Sequence, residues 1–101
     1  MTTLSILGGL GHVGLPLGLV LQSLGHRVNL IDTSKERMAA VRRGEMPFLE
    51  LGALELLRQQ TPRIFDAGLS EANLAVRESD AVIVTLGTPL DEYQNPRLDA
   101  V

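Results

Sequence analysis

Three glycines near the N-terminus have the spacing needed to bind a diphosphate. Gly9, Gly11 and Gly14 form the pattern G-x-G-x-x-G between an apolar run that predicts a strand and an amphipathic stretch that predicts a helix. In such a turn Gly9 lets the chain leave the strand sharply, Gly11 leaves room for a pyrophosphate, and Gly14 lets the helix pack closely. The helix start offers free backbone N–H groups and the positive end of its dipole to the phosphates.

An acidic residue follows where a dinucleotide site needs one. A second apolar run, Arg27–Ile31, ends in Asp32, roughly 20 residues past the turn, where a carboxylate holds a ribose 2′-hydroxyl. A glycine-rich turn without a ligand is the alternative for the bare pattern, but strand, helix and acid together favour dinucleotide binding. Asp32 favours NAD over NADP because it repels a 2′-phosphate. Lys35 and Arg37 lie close in sequence and weaken this discrimination.

The elements that position these residues alternate between strand and helix along the chain. This alternation predicts an α/β fold with a partial Rossmann-type parallel sheet, about four strands in the order 3-2-1-4, and flanking helices. The predicted strands cover residues 3–7, 27–31, 63–66 and 81–86, and the predicted helices cover residues 12–24, 33–43, 50–60 and 70–77.

Three details of the helices are also predicted. Thr33 with Glu36 fits a capping box at the start of the second helix. Ser70 is the predicted N-cap of the fourth helix. The first helix is expected to face the sheet through residues that recur at helical spacing, which are Val13, Leu17, Val20, Leu21 and Leu24.

The composition narrows the class of protein. The chain has 101 residues, 45% of them hydrophobic and 21% charged, with a formal net charge of −3, which is ordinary for one small globular domain. Without a basic run we expect no nucleic-acid partner and no membrane partner. We expect a cytoplasmic protein without a signal peptide. There are no cysteines, which excludes disulfides, thiolate metal sites and a cysteine nucleophile, and no metal-ligand spacing is present.

A threonine after the fourth predicted strand is a further candidate. In an open parallel sheet, ligands bind outside the carboxyl ends of the strands where the strand order reverses. The order 3-2-1-4 places that point between the first and fourth strands, so Gly87-Thr88-Pro89 is expected beside the glycine turn. The Thr88 hydroxyl would reach a nicotinamide-side ribose or a phosphate; a plain turn threonine is the alternative.

Motifs along nearly the whole chain resemble the N-terminal domain of the UDP-glucose/GDP-mannose dehydrogenase family, including UDP-N-acetylmannosamine dehydrogenases. The Pro16 that follows the glycine turn and the Pro47…Glu50 segment are more specific than the glycines alone. The matching segments are residues 9–17, Gly25-His26-Arg27-Val28, Asp32, Gly44-Glu45-Met46-Pro47-Phe48 with Glu50 and Leu54, Ser79-Asp80-Ala81, and Gly87-Thr88-Pro89.

The resemblance implies an oxidoreductase of polysaccharide biosynthesis that uses NAD to oxidise the C6 alcohol of a sugar nucleotide to a carboxylate. It implies two hydride transfers through a thiohemiacetal on a cysteine. Lys35 is expected to contact the adenosine ribose, or else to be a solvated lysine. His12, where the family usually has tyrosine, packs over the dinucleotide or faces solvent. The candidate cofactor-binding residues are Gly9, Gly11, His12, Val13, Gly14, Asp32, Lys35 and Thr88.

The family's nucleophile is missing, so no catalytic residue is assigned. We expect residues 1–101 to form an incomplete NAD-binding domain that binds NAD without turnover, with the catalytic and sugar-nucleotide domains absent and the sugar nucleotide reached only through them. A homo-oligomer is possible. One alternative is a non-catalytic, self-associating Rossmann-like module without productive cofactor binding. Another is a different nicotinamide dehydrogenase, such as a hydroxyacid dehydrogenase, against which the Pro47…Glu50 and Gly87-Thr88-Pro89 segments count.

Overall fold

The computed structural model describes residues 2–50 and 52–85. Within these ranges, no helix combines the length and the apolar character that a membrane span requires. The elements in chain order are β1 (Thr3–Leu7), α1 (Gly14–Ser23), β2 (Arg27–Asp32), α2 (Lys35–Arg42), α3 (Ala53–Arg58), β3 (Arg63–Asp66), α4 (Ser70–Arg77) and β4 (Ala81–Val84). The predicted alternation of strands and helices is confirmed, whereas Leu86, the predicted end of the fourth strand, lies outside the described residues.

The four strands form one parallel sheet in the order β3-β2-β1-β4, as predicted. In β1 Leu4 lies opposite Val28 of β2 and Ala81 of β4, and Asp32 of β2 lies opposite Asp66 of β3. Because all strands run in the same direction, their carboxyl ends meet at one edge of the sheet. The glycine turn leaves β1 at this edge, which therefore positions the candidate site.

One face of the sheet carries the apolar core. Ile6 of β1 and Val28 and Leu30 of β2 are at most 1% exposed. A Cβ added to Gly18 would lie 2.6 Å from Cδ2 of Leu30 and 3.3 Å from Cδ1 of Ile6, so α1 lies directly on this face. The other core residues come from the glycine turn, α1, α2 and α3, and they are Leu10, Leu15, Leu19, Met38, Val41, Ala53 and Leu57.

The opposite face carries buried polar groups beneath α4. Ser5 and Asn29 are 0% and 2% exposed. The Nδ2 group of Asn29 donates to Oγ of Ser5 at 3.3 Å, and Nε of Arg63 donates to Oδ1 of Asn29 at 2.8 Å. The Ser5 hydroxyl also contacts the carbonyl oxygen of Ala75 and the hydroxyl of Ser79. Ser5 and Asn29 thus both have partners, and the network joins three strands to α4.

The buried side of α1 differs from the prediction. Val13, Val20 and Leu24, expected to face the sheet, are 65%, 43% and 68% exposed. Leu17 and Leu21 are only partly buried against the core. The helix instead rests on two glycines and two leucines, Gly14, Leu15, Gly18 and Leu19. The reason is steric. Glycine has no side chain, so α1 lies closest to the sheet at its glycines, and its buried side is centred on them. The spacing of apolar side chains alone does not reveal this.

Three helix starts also differ from the prediction. The N-cap of α2 is Ser34, whose Oγ accepts from the backbone N–H of Arg37 at 3.1 Å, rather than Thr33. The third helix begins at Ala53, after Gly52 with a φ of 82°, and not at residue 50. Ser70 is the first residue of α4 rather than its cap. In α2 and α4 the N-cap therefore lies one residue away from the predicted one, at Ser34 and Leu69.

Candidate functional site

The glycine turn is held to the sheet by backbone hydrogen bonds. The N–H groups of Gly8 and Gly9 both donate to the carbonyl oxygen of Ile31, at 2.9 and 3.0 Å. Gly8 has a φ of 76°, in the left-handed region that favours glycine, so the sharp turn predicted for Gly9 is made by its neighbour. A Cβ on Gly9 would lie 2.8 Å from Cα of Leu30. Gly9 therefore serves close packing of the turn on β2.

The two remaining glycines of the motif have opposite surroundings. A Cβ on Gly14 would overlap the carbonyl oxygen of Gly8 and lie 2.8 Å from Oγ1 of Thr85. A Cβ on Gly11 would meet only the Gly8 carbonyl oxygen at 3.4 Å and Nη1 of Arg37 at 4.0 Å. Gly14 is thus required for the helix to approach the turn, as predicted. A Cβ at Gly11 would make only ordinary van der Waals contacts, so the backbone there is approachable, as a bound diphosphate would need.

The start of α1 leaves backbone donors free. Among the residues that the structure describes, no acceptor bonds the N–H groups of His12, Val13 or Gly14. No acidic side chain lies in the first turn of the helix, and Val13 provides no side-chain cap. Unpaired N–H groups at a helix N-terminus form an anion site. The predicted residues His12, Val13 and Gly14 therefore present free backbone donors next to Gly11.

Asp32, at the end of β2, is fixed by backbone donors. Its Oδ2 accepts from the N–H of Leu10 at 2.9 Å. Its Oδ1 accepts from the N–H groups of Thr33 at 2.7 Å and Ser34 at 3.1 Å. A carboxylate can accept about four hydrogen bonds, so these three bonds leave Asp32 able to accept one more, from a hydroxyl group. The structure thus places the predicted acid beside the glycine turn, with its charge held at the sheet edge.

Lys35 forms an ion pair with the end of β3. Its Nζ donates to Oδ2 of Asp66 at 2.7 Å, across to the end of β3. The other oxygen of Asp66 accepts from the N–H of Gly68 at 2.9 Å. The hydrogen bond from Lys35, followed by the Gly68 N–H, holds the pKa of the Asp66 carboxyl below its usual range. The cation that approaches the turn is Arg37, which the sequence analysis noted only for its charge.

His12 is exposed, in agreement with one of its two predicted alternatives, and it also makes a contact that was not predicted. Its ring stacks on Phe48, with centroids 4.3 Å apart and planes 24° from parallel. Phe48 belongs to the segment after α2 and packs against the core, while His12 remains exposed. Next to this pair lies a groove of ≈ 420 Å³, lined by Met46, Phe48, Leu49 and Leu54 together with polar residues. The aromatic pair joins the glycine turn to the connector between α2 and α3.

A threonine that the sequence analysis did not select closes the site on the β4 side. Oγ1 of Thr85 donates to the carbonyl oxygens of Leu7 at 3.0 Å and Gly8 at 3.1 Å. The end of β4 therefore meets the glycine turn, at the switch point expected from the strand order. Thr88, the predicted residue, lies outside the described residues. Within residues 2–50 and 52–85 no three His, Asp or Glu side chains could jointly hold a metal ion.

Comparisons with known proteins agree with this geometry. The NAD binding domain of the UDP-glucose/GDP-mannose dehydrogenase family matches residues 2–101. A UDP-glucose 6-dehydrogenase of Pseudomonas aeruginosa is 34% identical over 87 residues, which are 83% of this chain and 18% of that protein. The chain therefore spans about a fifth of the length of the curated relatives it matches.

Solved structures show the same similarity. A ternary complex of GDP-mannose dehydrogenase from Pseudomonas aeruginosa superposes with a TM-score of 0.71 and 34% identity, covering 85% of this chain and 20% of that one. A UDP-glucose dehydrogenase from the archaeon Pyrobaculum islandicum gives a TM-score of 0.72 and 34% identity, covering 88% and 20%. Similarity of sequence and of fold thus extends over the region that contains the glycine turn and Asp32.

Proposed function

The chain belongs to the UDP-glucose/GDP-mannose dehydrogenase family, and from this premise we propose that it is the NAD-binding part of a nucleotide-sugar 6-dehydrogenase. The observation that supports the proposal best is the start of α1, where the N–H groups of His12, Val13 and Gly14 have no acceptor among the described residues. The diphosphate of NAD supplies the acceptors that these donors lack. Bound NAD accepts the hydride that an alcohol loses on oxidation.

Each predicted residue has a proposed role toward NAD. Gly9 and Gly14 shape the turn, because a side chain at either position would collide with backbone atoms. Gly11 leaves room for the diphosphate. Asp32 accepts a hydrogen bond from a hydroxyl group of the adenosine ribose at its remaining acceptor position. Thr88 stays a prediction for the nicotinamide side of the cofactor.

The proposed role of Lys35 changes with the structure. Its ammonium group pairs with Asp66, so we do not assign it a contact with the adenosine ribose. Arg37 lies nearer to the turn, since its Nη1 would be 4.0 Å from a Cβ on Gly11. A guanidinium there adds positive charge beside the diphosphate. Arg37 thus replaces Lys35 as the basic residue of the proposed site.

The proposed reaction of the whole enzyme is the oxidation of a UDP-sugar C6 alcohol to a carboxylate with NAD. The relatives named above are UDP-glucose and GDP-mannose dehydrogenases. The 101 residues contain no cysteine, so a thiohemiacetal cannot form on this chain. We therefore propose that the chain alone binds NAD and does not turn over a sugar nucleotide. Its cytoplasmic location and the incompleteness of the domain stay predictions.

Calorimetry tests this proposal directly. The purified 101-residue chain should give saturable heat with NAD at micromolar to millimolar concentrations, and Gly11→Val should abolish it, because valine fills the space kept for the diphosphate. An unchanged circular dichroism spectrum and urea midpoint of the variant show that its fold is intact. Absence of NAD binding by the unaltered chain, or sustained NADH production from UDP-glucose, would contradict the proposal.

A second candidate function is a self-associating module without productive cofactor binding. It is favoured by Val82 and Val84 of β4, which are 42% and 58% exposed on the outermost strand of the described sheet. Exposed apolar side chains on an edge strand promote pairing between copies. Sedimentation at several concentrations separates the candidates. A stable dimer that binds no NAD, and that Val84→Lys dissociates, would support this second reading.

A further inference from the structure

Asp66, at the end of β3, lies beside the proposed adenosine subsite. In the sheet register it lies opposite Asp32, so the two Cα atoms are one strand spacing apart, about 5 Å. Its side chain is only 16% exposed. Both carboxylate oxygens have partners, Lys35 on one side and the N–H of Gly68 on the other. The sheet edge thus carries two neighbouring acids, of which only Asp32 contacts the glycine turn.

The cations that follow Asp32 are separated by this arrangement. Lys35 and Arg37 both lie in the first turn of α2, near the point where NAD and NADP differ by a 2′-phosphate. A free cation there would attract the phosphate and weaken the discrimination that Asp32 provides. The Lys35 ammonium is instead bonded to Oδ2 of Asp66, at the end of β3, with 2.7 Å between the two atoms.

We propose that Asp66 is a specificity-determining positioning residue, which maintains the preference for NAD over NADP by holding the Lys35 ammonium at the end of β3. This inference rests on the proposed function of NAD binding. Asp66 acts in two ways: its ion pair withholds a cation from the 2′-position, and its own charge adds to the negative potential around Asp32. Both effects oppose a 2′-phosphate, and neither concerns the diphosphate that NAD and NADP share.

The size of the effect follows from the exposure of the pair. The Lys35 side chain is 79% exposed, and exposed ion pairs contribute a free energy that corresponds to at most about fivefold in an equilibrium constant. Removing the Asp66 charge should therefore lower the ratio of the NADP and NAD dissociation constants by about two- to fivefold. The preference should not reverse, because Asp32 remains.

Calorimetric titrations of the purified chain with NAD and with NADP test the inference. Asp66→Asn should lower the NADP/NAD ratio of dissociation constants by about two- to fivefold and change the NAD constant by less than about twofold. The asparagine can still accept from the N–H of Gly68, so the turn is retained. Lys35→Met, which leaves the Asp66 charge unpaired, should raise the ratio instead. Adding Lys35→Met to Asp66→Asn should remove much of the gain in NADP binding.

Glu45→Gln is the matched control. It removes the acidic partner of another exposed ion pair, in which Oε1 of Glu45 lies 3.0 Å from Nη2 of Arg43, beyond the far end of α2. Glu45→Gln changes the net charge by the same amount as Asp66→Asn, but it should leave the NADP/NAD ratio of dissociation constants unchanged. An unchanged ratio in Asp66→Asn, or an equal shift in Glu45→Gln, would overturn the inference while NAD binding stands. Absence of NAD binding by the unaltered chain would overturn the proposed function and this inference together.

Discussion

Oδ2 of Asp32 accepts a hydrogen bond from the backbone N–H of Leu10, with 2.9 Å between the two atoms. Leu10 is the second residue of the glycine motif and is fully buried, so this bond joins the end of β2 to the turn that follows β1. The acid proposed to bind the ribose therefore also holds the turn proposed to bind the diphosphate. One side chain links the two halves of the site.

Substitution of Asp32 should reduce both NAD affinity and stability. In Asp32→Asn the amide nitrogen cannot accept, so at least one of the N–H groups of Leu10, Thr33 and Ser34 loses its partner. Loss of the partner of the part-buried Leu10 N–H costs about 1–3 kcal/mol, whereas the exposed Thr33 N–H can bond water. We therefore expect the free energy of unfolding to fall by at most about 3 kcal/mol. NAD affinity should fall at least about tenfold, since the proposed charged hydrogen bond to the ribose is also lost. Urea unfolding and calorimetry measure the two effects.

Asp80→Asn is the control for this variant. Oδ2 of Asp80 accepts from the N–H of Thr3 at 2.8 Å, so it too is a carboxylate bonded to a strand N–H, but at the amino end of β1. Its loss should lower stability without a change in NAD affinity. Equal losses of NAD affinity in both variants would show that Asp32 acts only through general stability.

The glycine motif should separate folding from binding. Gly11→Ala places its methyl group at ordinary contact distance, with the Gly8 carbonyl oxygen at 3.4 Å, so the urea midpoint should be nearly unchanged while NAD affinity falls sharply. In Gly14→Ala the new methyl group would overlap the Gly8 carbonyl oxygen. Overpacking of this kind costs about 1–3 kcal/mol, and the midpoint should drop. A marked loss of stability in Gly11→Ala would contradict the conclusion that a methyl group fits beside Gly11 without a collision.

Local patterns predicted the order of elements and part of the site. The apolar runs of β1 and β2 and the glycines between them are contiguous in sequence, and the strand order follows from general rules of parallel sheets. Asp32 was found because it ends the second run. Its bond to Leu10 spans 22 residues but follows from the pairing of β1 and β2.

The contacts that were missed depend on elements far apart in sequence. Lys35 pairs with Asp66, 31 residues away, and this depends on the register of β3 against β2, which no local pattern specifies. The stacking of His12 on Phe48 likewise depends on the path of the connector after α2. Ser34, and not Thr33, is the cap of α2. Oδ1 of Asp32 accepts hydrogen bonds from the N–H groups of both residues, and the capping-box pattern does not take this turn into account.

The Asp66–Lys35 pair predicts a pH-dependent contribution to stability. The pKa of Asp66 in the folded chain is lowered, first by the hydrogen bond from Lys35 and next by the Gly68 N–H. A carboxyl whose pKa is lower when folded stabilises the fold above its unfolded pKa, and this contribution is lost as the pH falls through the folded pKa. Asp66→Asn should therefore lower the urea midpoint at pH 7, and the difference from the unaltered chain should shrink below about pH 4. A difference that persists at about pH 2 would contradict the ion-pair origin.

The stacking of His12 on Phe48 predicts a measurable coupling energy. The rings lie 4.3 Å apart, and aromatic pairs of this kind contribute about 0.5–1.5 kcal/mol beyond their burial. Because His12 is exposed, we expect the lower half of this range from a double-mutant cycle of His12→Ala and Phe48→Leu in urea unfolding. Leucine retains the packing of Phe48 against the core and removes only the ring.

A cycle of His26→Ala with Phe48→Leu is the control for this coupling. His26 follows α1 and precedes β2, and no stacking joins it to Phe48 among the described residues. Substitutions without a shared contact add to within about 0.3–0.5 kcal/mol, so this pair should be additive. Coupling of equal size in both cycles would mean that Phe48→Leu loosens the core as a whole. Coupling confined to His12 would show that the connector after α2 helps to hold the glycine turn in place.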